Sequence, residues 1–153
     1  YLQASGAMVE NNWVADAGQW YYMGDSGTMR TGWFPDGKTW YYLNSSSGAM
    51  QTGWINDGKG WYYLQASGAM VENNWVADAG KWYYLGKGGA MQTGWTQAGN
   101  DWYYMNGGGV MQTGWLQQGG DWYYLQQSGQ MVTGIQRIDG QIYMFESGGD
   151  WMK

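Results

Sequence analysis

Pairs of tryptophans seven residues apart, each pair ending in a run of aromatic residues, are the groups in this chain best suited to chemistry. They stand at Trp13/Trp20, Trp33/Trp40, Trp54/Trp61, Trp75/Trp82, Trp95/Trp102 and Trp115/Trp122. Rings gathered at this density offer π faces to a cation. A quaternary ammonium group suits them because it is poorly hydrated and carries no N–H that must be satisfied. At about 0.5–2 kcal/mol per ring, three rings give roughly 3–4 kcal/mol net, near millimolar affinity for one site. Several such weak sites on one rigid support hold a polymer firmly through avidity.

The carboxylates point nowhere comparable. Asp16, Asp36, Asp57, Asp78, Asp101 and Asp121 lie in or beside short polar turns, where aspartate is expected for turn chemistry alone. A glycosidase needs two carboxylates in one unique cleft, and an aspartate repeated on loops does not supply that. No nucleophile–base constellation is visible, so no catalysis is expected from these residues. Cysteine and histidine are both absent, which removes disulfides, thiol chemistry, the soft metal ligands and most general bases. Neither a metal nor a cofactor is expected. Seven basic residues against twelve acidic ones, a formal charge of −5, offer no basic stripe to nucleic acid. There is no run of about 18 apolar residues of the kind that spans a membrane as a helix, so no membrane insertion is expected.

The rings are placed by a repeated unit, clearest from Ala90 to Leu125: G-x-M-x-T-G-W, a short turn with glycine, W-Y-Y-L, and a Gly/Ser/Asn/Gln linker. The two tryptophan positions are always seven residues apart, while the repeat period is 20 or 21. The slack lies wholly in the linker, so the Trp-to-Trp segment is the rigid part. A unit this short has no core of its own and must stack on its neighbours, the signature of a solenoid. Residues 1–153 therefore read as one all-β module of about seven repeats, the first truncated. Tyr1-Leu2 aligns with the end of a W-Y-Y-L, which suggests a piece of a longer protein. With 13 tryptophans and 14 tyrosines beside 28 glycines, the chain is too aromatic for disorder and too glycine-rich for helices.

Within a unit, two β-prone runs separated by a few residues containing glycine predict a hairpin with a short loop. Alternation along a strand puts Trp20 and Tyr22 on one face and Tyr21 and Met23 on the other, a split that recurs in every copy. Ordinary core composition assigns the first tyrosine and the closing Leu or Met to the interior. It leaves the two tryptophans and the second tyrosine for a ligand. The recurrent Met8, Met29, Met50, Met70, Met91, Met111 and Met131 read as packing filler. Gly32, Gly53, Gly94 and Gly114, with Asn12 and Asn74, precede the first tryptophan, a position expected to need positive φ. Linkers such as NSSSGA (44–49) and NGGG (106–109) read as turns too polar to pack.

Residues 1–18 and 63–80 are identical, a displacement of 62 or three units. That spacing fits three hairpins per superhelical turn, and a recombined or engineered origin explains it equally. At the other end Ile135 and Ile142 replace both tryptophans, and Met144 replaces the second tyrosine. Residues 130–153 are expected to be a C-terminal cap, with Trp151 packing back on the last hairpins.

At these residues the chain resembles the choline-binding, or cell-wall-binding, repeats of pneumococcal and phage surface proteins. The T-G-W…G-x-W-Y-Y-L…G-A-M pattern carries the resemblance, most clearly at Thr52 to Leu64 and Thr93 to Met105. It implies a left-handed solenoid of stacked β-hairpins, about three per turn. It also implies choline sites built from both tryptophans of one repeat and the second tyrosine of the next. By position these are Trp13, Trp20 and Tyr42; Trp33, Trp40 and Tyr63; Trp54, Trp61 and Tyr84; Trp75, Trp82 and Tyr104; and Trp95, Trp102 and Tyr124. A sixth site around Trp115 and Trp122 departs from the pattern, because Met144 stands where a tyrosine is expected.

The function implied is non-catalytic anchoring to a bacterial surface, outside the cell, through choline-decorated teichoic or lipoteichoic acid. An effector or catalytic domain would lie outside this sequence. Two alternatives stand beside it. Related repeats of glucosyltransferases hold α-glucans by ring stacking, although neutral sugars also need polar partners and the acidic balance favours a cation. A purely structural stalk is the other. Exposed ends of such a stack invite pairing of two copies, so a homodimer fits the reading as well.

Overall fold

Aromatic and β-branched residues on either side of a glycine turn fold as antiparallel hairpins, and the computed structural model, which describes all residues Tyr1–Lys153, holds seven of them. They are β1 (Asn12–Asp16) with β2 (Gln19–Met23), β3 (Gly32–Asp36) with β4 (Thr39–Leu43), and β5 (Gly53–Asn56) with β6 (Trp61–Leu64). Then come β7 (Asn74–Asp78) with β8 (Lys81–Leu85), β9 (Gly94–Ala98) with β10 (Asp101–Met105), β11 (Gly114–Gln118) with β12 (Asp121–Leu125), and β13 (Gly134–Ile138) with β14 (Gln141–Phe145). The chain divides into two compact units, one of Tyr1–Glu72 with Lys87–Ala90, the other of Asn73–Gly86 with Met91–Lys153.

Register is the same throughout. Trp13 stands opposite Tyr22 and Ala15 opposite Trp20; Trp95 stands opposite Tyr104 and Gln97 opposite Trp102. Each of the first six hairpins thus has one face with both tryptophans and the second tyrosine, and a reverse face with the first tyrosine. The residue closing each W-Y-Y run forms the core: Leu43, Leu64, Leu85, Met105 and Leu125 are fully buried. Each contributes about 1.5–3 kcal/mol by burial. Val9, Val14 and Met23 cluster with Tyr21 in the first hairpin, and Val132, Ile138 and Phe145 with Tyr124, Tyr143 and Trp151 in the last.

The turn residues explain the tight loops. Ala17-Gly18 and Ala79-Gly80 both have φ positive at the two central positions, 48° then 77° and 48° then 74°. That is the pattern of the type I′ turn, whose twist matches the strands. Positive φ before the first tryptophan is present at Gly32, Gly53, Gly94 and Gly114, between 70° and 79°. In the two Asn-Asn copies it falls one residue earlier, on Asn11 and Asn73 at 49°, not on Asn12 and Asn74. Those two residues instead open strands, and their Oδ1 atoms accept the Trp13 and Trp75 amide N–H at 2.9 and 2.8 Å. Having two asparagines lets the left-handed residue move without leaving the types that tolerate it.

The linkers are polar yet not unpacked, contrary to expectation. Asn44 Oδ1 accepts the Ser46 and Ser47 amides and Asn106 Oδ1 those of Gly108 and Val110, all within 3.0 Å. Such local bonds free the linker glycine to bury itself. Gly48 and Gly109 press on the methionines of the preceding linker: a Cβ at either would lie 2.5 Å from Met29 Sδ or Met91 Sδ. Backbone bonds then run forward across repeats. Met50 N–H donates to Trp20 C=O and Met70 N–H to Trp40 C=O in the first unit, each at 2.8 Å. Met111 to Trp82, Met131 to Trp102 and Trp151 to Trp122 do the same in the second, also at 2.8 Å.

Candidate functional site

Within each unit, successive hairpins meet unlike face to unlike face. The tryptophan face of one hairpin receives the reverse face of the next, which carries that hairpin's first tyrosine. Trp13 packs edge-on against Tyr41 with ring centroids 5.0 Å apart, Trp33 against Tyr62 at 4.9 Å, Trp75 against Tyr103 at 4.7 Å, and Trp95 against Tyr123 at 4.9 Å. Each first tryptophan is also held on its own hairpin by the second tyrosine, as Trp33 is by Tyr42 at 5.0 Å.

Open cavities form where these faces meet. One of about 380 Å³ is lined by Trp13, Trp20, Tyr41, Met50, Ala66 and Ser67. A second, about 410 Å³, has Trp33, Trp40, Tyr62 and Met70 as its apolar walls, with Asp57, Lys59, Glu72 and Gly88 at its rim. A third, about 500 Å³, is walled by Trp75, Trp82, Tyr103 and Met111, with Gln127, Ser128 and Gln130 beside them. The last, about 340 Å³, has Trp115, Trp122, Tyr143 and Trp151 alone. The second tryptophans stay open to solvent: Trp20, Trp40, Trp61, Trp82 and Trp102 are all exposed. Large rings left in water beside a cavity are available to a ligand.

The tyrosine in these cavities is not the expected one. Tyr42, Tyr63 and Tyr104 line none of the three cavities in which they were anticipated; Tyr41, Tyr62 and Tyr103 stand there. Tyr63 packs on Trp54, Tyr84 on Trp75, Tyr104 on Trp95 and Tyr124 on Trp115, each on its own hairpin and at 5.0–5.2 Å. Strand alternation gives the reason: the second tyrosine shares its face with the tryptophans, so it points forward with them and cannot close the cavity behind. The first tyrosine is only partly buried in most copies, so it is a cavity wall more than a core residue. The last cavity shows the same shift. Its tyrosine is Tyr143, 4.9 Å from Trp115, and the substitution at Met144 does not touch it.

Methionine is the wall that sequence reasoning did not assign to the site. Met50, Met70 and Met111 fill gaps under a linker glycine and line a cavity at once. Their fixed position two repeats downstream of the tryptophans was the available signal.

A second unassigned group is the turn aspartate. Trp13 Nε1 donates to Asp36 Oδ2 at 2.9 Å and Trp33 Nε1 to Asp57 Oδ2 at 3.0 Å. Burial pushes the Asp57 carboxyl up, but the bonds from the Trp33 indole and the Lys59 and Gly60 amides, with the Lys59 ammonium, outweigh it and hold it below its ordinary value. Burial and then the Asp57 charge push the Tyr62 phenol up. Burial followed by Asp101 does so at Tyr103, where a Gln130 bond opposes it, and burial with Asp121 and Asp150 does so at Tyr123. These sites are therefore walled by neutral rings with carboxylate charge nearby, a field that favours a cation. No group of three or more Asp or Glu side chains is placed to hold a metal ion.

Comparison with known proteins gives a consistent result. Residues 12–52 and 92–133 match the choline-binding repeat family, and residues 52–70 and 73–91 match a cell wall binding repeat family. A comparison with curated protein sequences found no match. Among solved structures, CbpJ of Streptococcus pneumoniae is 42% identical over 93% of this chain and 52% of its own, with a TM-score of 0.88. Choline binding protein F of the same species, in complex with ipratropium, is 44% identical over 88% of this chain and 42% of its own, with a TM-score of 0.77. The choline-binding domain of CbpL from that species is 31% identical over 100% of this chain and 82% of its own, with a TM-score of 0.80. This chain spans about half the length of the first two.

Proposed function

Because this chain belongs to the choline-binding repeat family, we propose that it is a non-catalytic cell-wall anchoring module that holds the choline of teichoic or lipoteichoic acid in its aromatic cavities. One observation carries the reading. Each cavity presents two tryptophans, a tyrosine and a methionine or third tryptophan. Rings and a thioether are what a trimethylammonium group needs, since its methyls carry the charge and donate no N–H. Ipratropium, found with one relative, is itself a quaternary ammonium compound. A single site built this way holds its ligand at about millimolar affinity, and a chain with several gains its grip on a polymer from avidity. Such a module belongs at the bacterial cell surface.

A second reading rests on Gln127, Ser128 and Gln130, which edge the Trp75 cavity with the amide and hydroxyl groups a neutral glucan requires. Titration separates the two. Tryptophan fluorescence and thermal unfolding are followed against choline and, separately, isomalto-oligosaccharide. Choline at millimolar levels is expected to change the fluorescence and raise Tm, as linkage demands of sites present only in the fold. A response to the sugar alone transfers the function to glucan, and no response to either leaves a structural stalk.

A further inference from the structure

One cavity differs in its fourth wall. In the others that wall is Met50, Met70 or Met111, set in place by a 2.8 Å bond from its own amide to the carbonyl of Trp20, Trp40 or Trp82. At the last cavity the same 2.8 Å backbone bond runs from Trp151 to Trp122. Trp151 also bridges Phe145 as Met111 bridges Met105 and Met131 bridges Leu125. The chain thus places an indole where a thioether otherwise stands. Its ring lies 6.2 Å from Trp115 and 5.8 Å from Tyr143, and Trp122 lies 6.3 Å from Trp115, with planes steeply inclined in each pair.

The charge around this cavity differs from that at the two cavities of the first unit. Asp36 and Asp57 bond the first tryptophan of the two cavities in the first unit. The corresponding turn residue of the last hairpin is Ile138, a buried member of its core cluster. No charged side chain lines the cavity.

We infer that Trp151 is a fourth recognition ring, which makes the C-terminal cavity the tightest quaternary-ammonium site of the chain and one less sensitive to salt than the two cavities of the first unit. The inference rests on the choline reading above and goes beyond it by ranking the sites. An indole face attracts a cation more strongly than any other side-chain face, whereas a thioether offers mainly dispersion. With no carboxylate at the rim, screening has little to act on there.

The test is a choline titration by calorimetry at low and high salt on the whole chain and on Trp151→Met. The variant carries the residue that serves at this position elsewhere, and thermal unfolding confirms its fold. The unaltered chain is expected to show one site about 3- to 10-fold tighter than the rest, unchanged by salt. Trp151→Met should merge that site with the others at the same total stoichiometry. A second variant, Trp115→Ala, should delete it. Uniform binding in the unaltered chain, or a tight site that survives Trp151→Met, overturns the ranking and leaves choline binding intact. Absence of any choline binding overturns both.

Discussion

Trp33 donates its indole N–H to the Asp57 carboxylate at 3.0 Å, across 24 residues of sequence. The bond fixes a cavity wall with a residue from the turn of the next hairpin. It also brings a negative charge to a cavity proposed to take a cation. Asp57→Asn keeps an amide oxygen for the indole and removes the charge. Choline affinity at that cavity is expected to fall roughly 2- to 5-fold at low salt, and less at high salt, as screened surface charges do. Its pH dependence follows from the depressed carboxyl. The stability it contributes is present above the ordinary carboxyl value of about 4 and is lost as pH falls through the lower folded value. Thermal unfolding in acid should therefore flatten in the variant. An unchanged acid profile and an unchanged titration would each count against this role.

Tyr62 and Tyr63 are neighbours with separate duties. Tyr62 lines the Trp33 cavity, while Tyr63 packs on Trp54 of its own hairpin. Tyr62→Leu should lower choline affinity at that one cavity by about 3- to 30-fold, the worth of one ring. Tyr63→Leu should leave the Trp33 cavity's affinity untouched and lower stability by roughly 1 kcal/mol, the edge-to-face term. Calorimetric stoichiometry read beside Tm distinguishes the two, and a reversed pattern would restore the second tyrosine to the site.

Gly109 is required for two reasons at once. Its φ is +81°, and a Cβ would meet Met91 Sδ at 2.5 Å. Gly109→Ala is expected to cost about 2–4 kcal/mol from backbone strain and overpacking together. Gly107, in the same linker, has neither positive φ nor a neighbour within 4 Å of its Cβ position. Gly107→Ala should be near neutral in chemical denaturation.

Alkali should unfold the chain through the first tyrosines of its hairpins. Tyr62, Tyr103 and Tyr123 have phenols raised by burial and by nearby carboxylates. A raised folded value means the stability they contribute is complete below the ordinary tyrosine value of about 10 and is lost as pH rises through the folded one. Tm should hold level up to about pH 9 and then drop, with a smaller drop in Tyr62→Phe. Spectroscopic titration of phenolate formation on the same samples checks that the two events coincide.

Much of the fold was legible because it is local. The invariant seven-residue spacing, the glycine turns and the W-Y-Y-L alternation dictate a hairpin per repeat, and each buried Leu43 or Leu64 closes one. What escaped was non-local. Which tyrosine meets Trp13 depends on how two hairpins stack, although alternation already placed Tyr42 on the forward face. Asp36 looks like any turn aspartate, and nothing within its own repeat announces an indole 23 residues upstream. Met111 reads as filler until its amide is seen bonded to Trp82, and the left-handed residue moved to Asn73 because two asparagines left a choice.

The walls of the Trp75 cavity come from three consecutive repeats: Trp75 and Trp82 from one, Tyr103 from the next and Met111 from the lead-in to the third. No repeat owns a site, yet each of the six with paired tryptophans carries all the parts. Splicing in one whole copy therefore adds one cavity and damages none, because the newcomer lends its tyrosine backward and borrows one ahead. A single residue inserted between two tryptophans does the opposite and turns half the rings to the wrong face. Array length is thus the freely adjustable quantity of this architecture, and the number of cavities can be tuned by copying text without revising it.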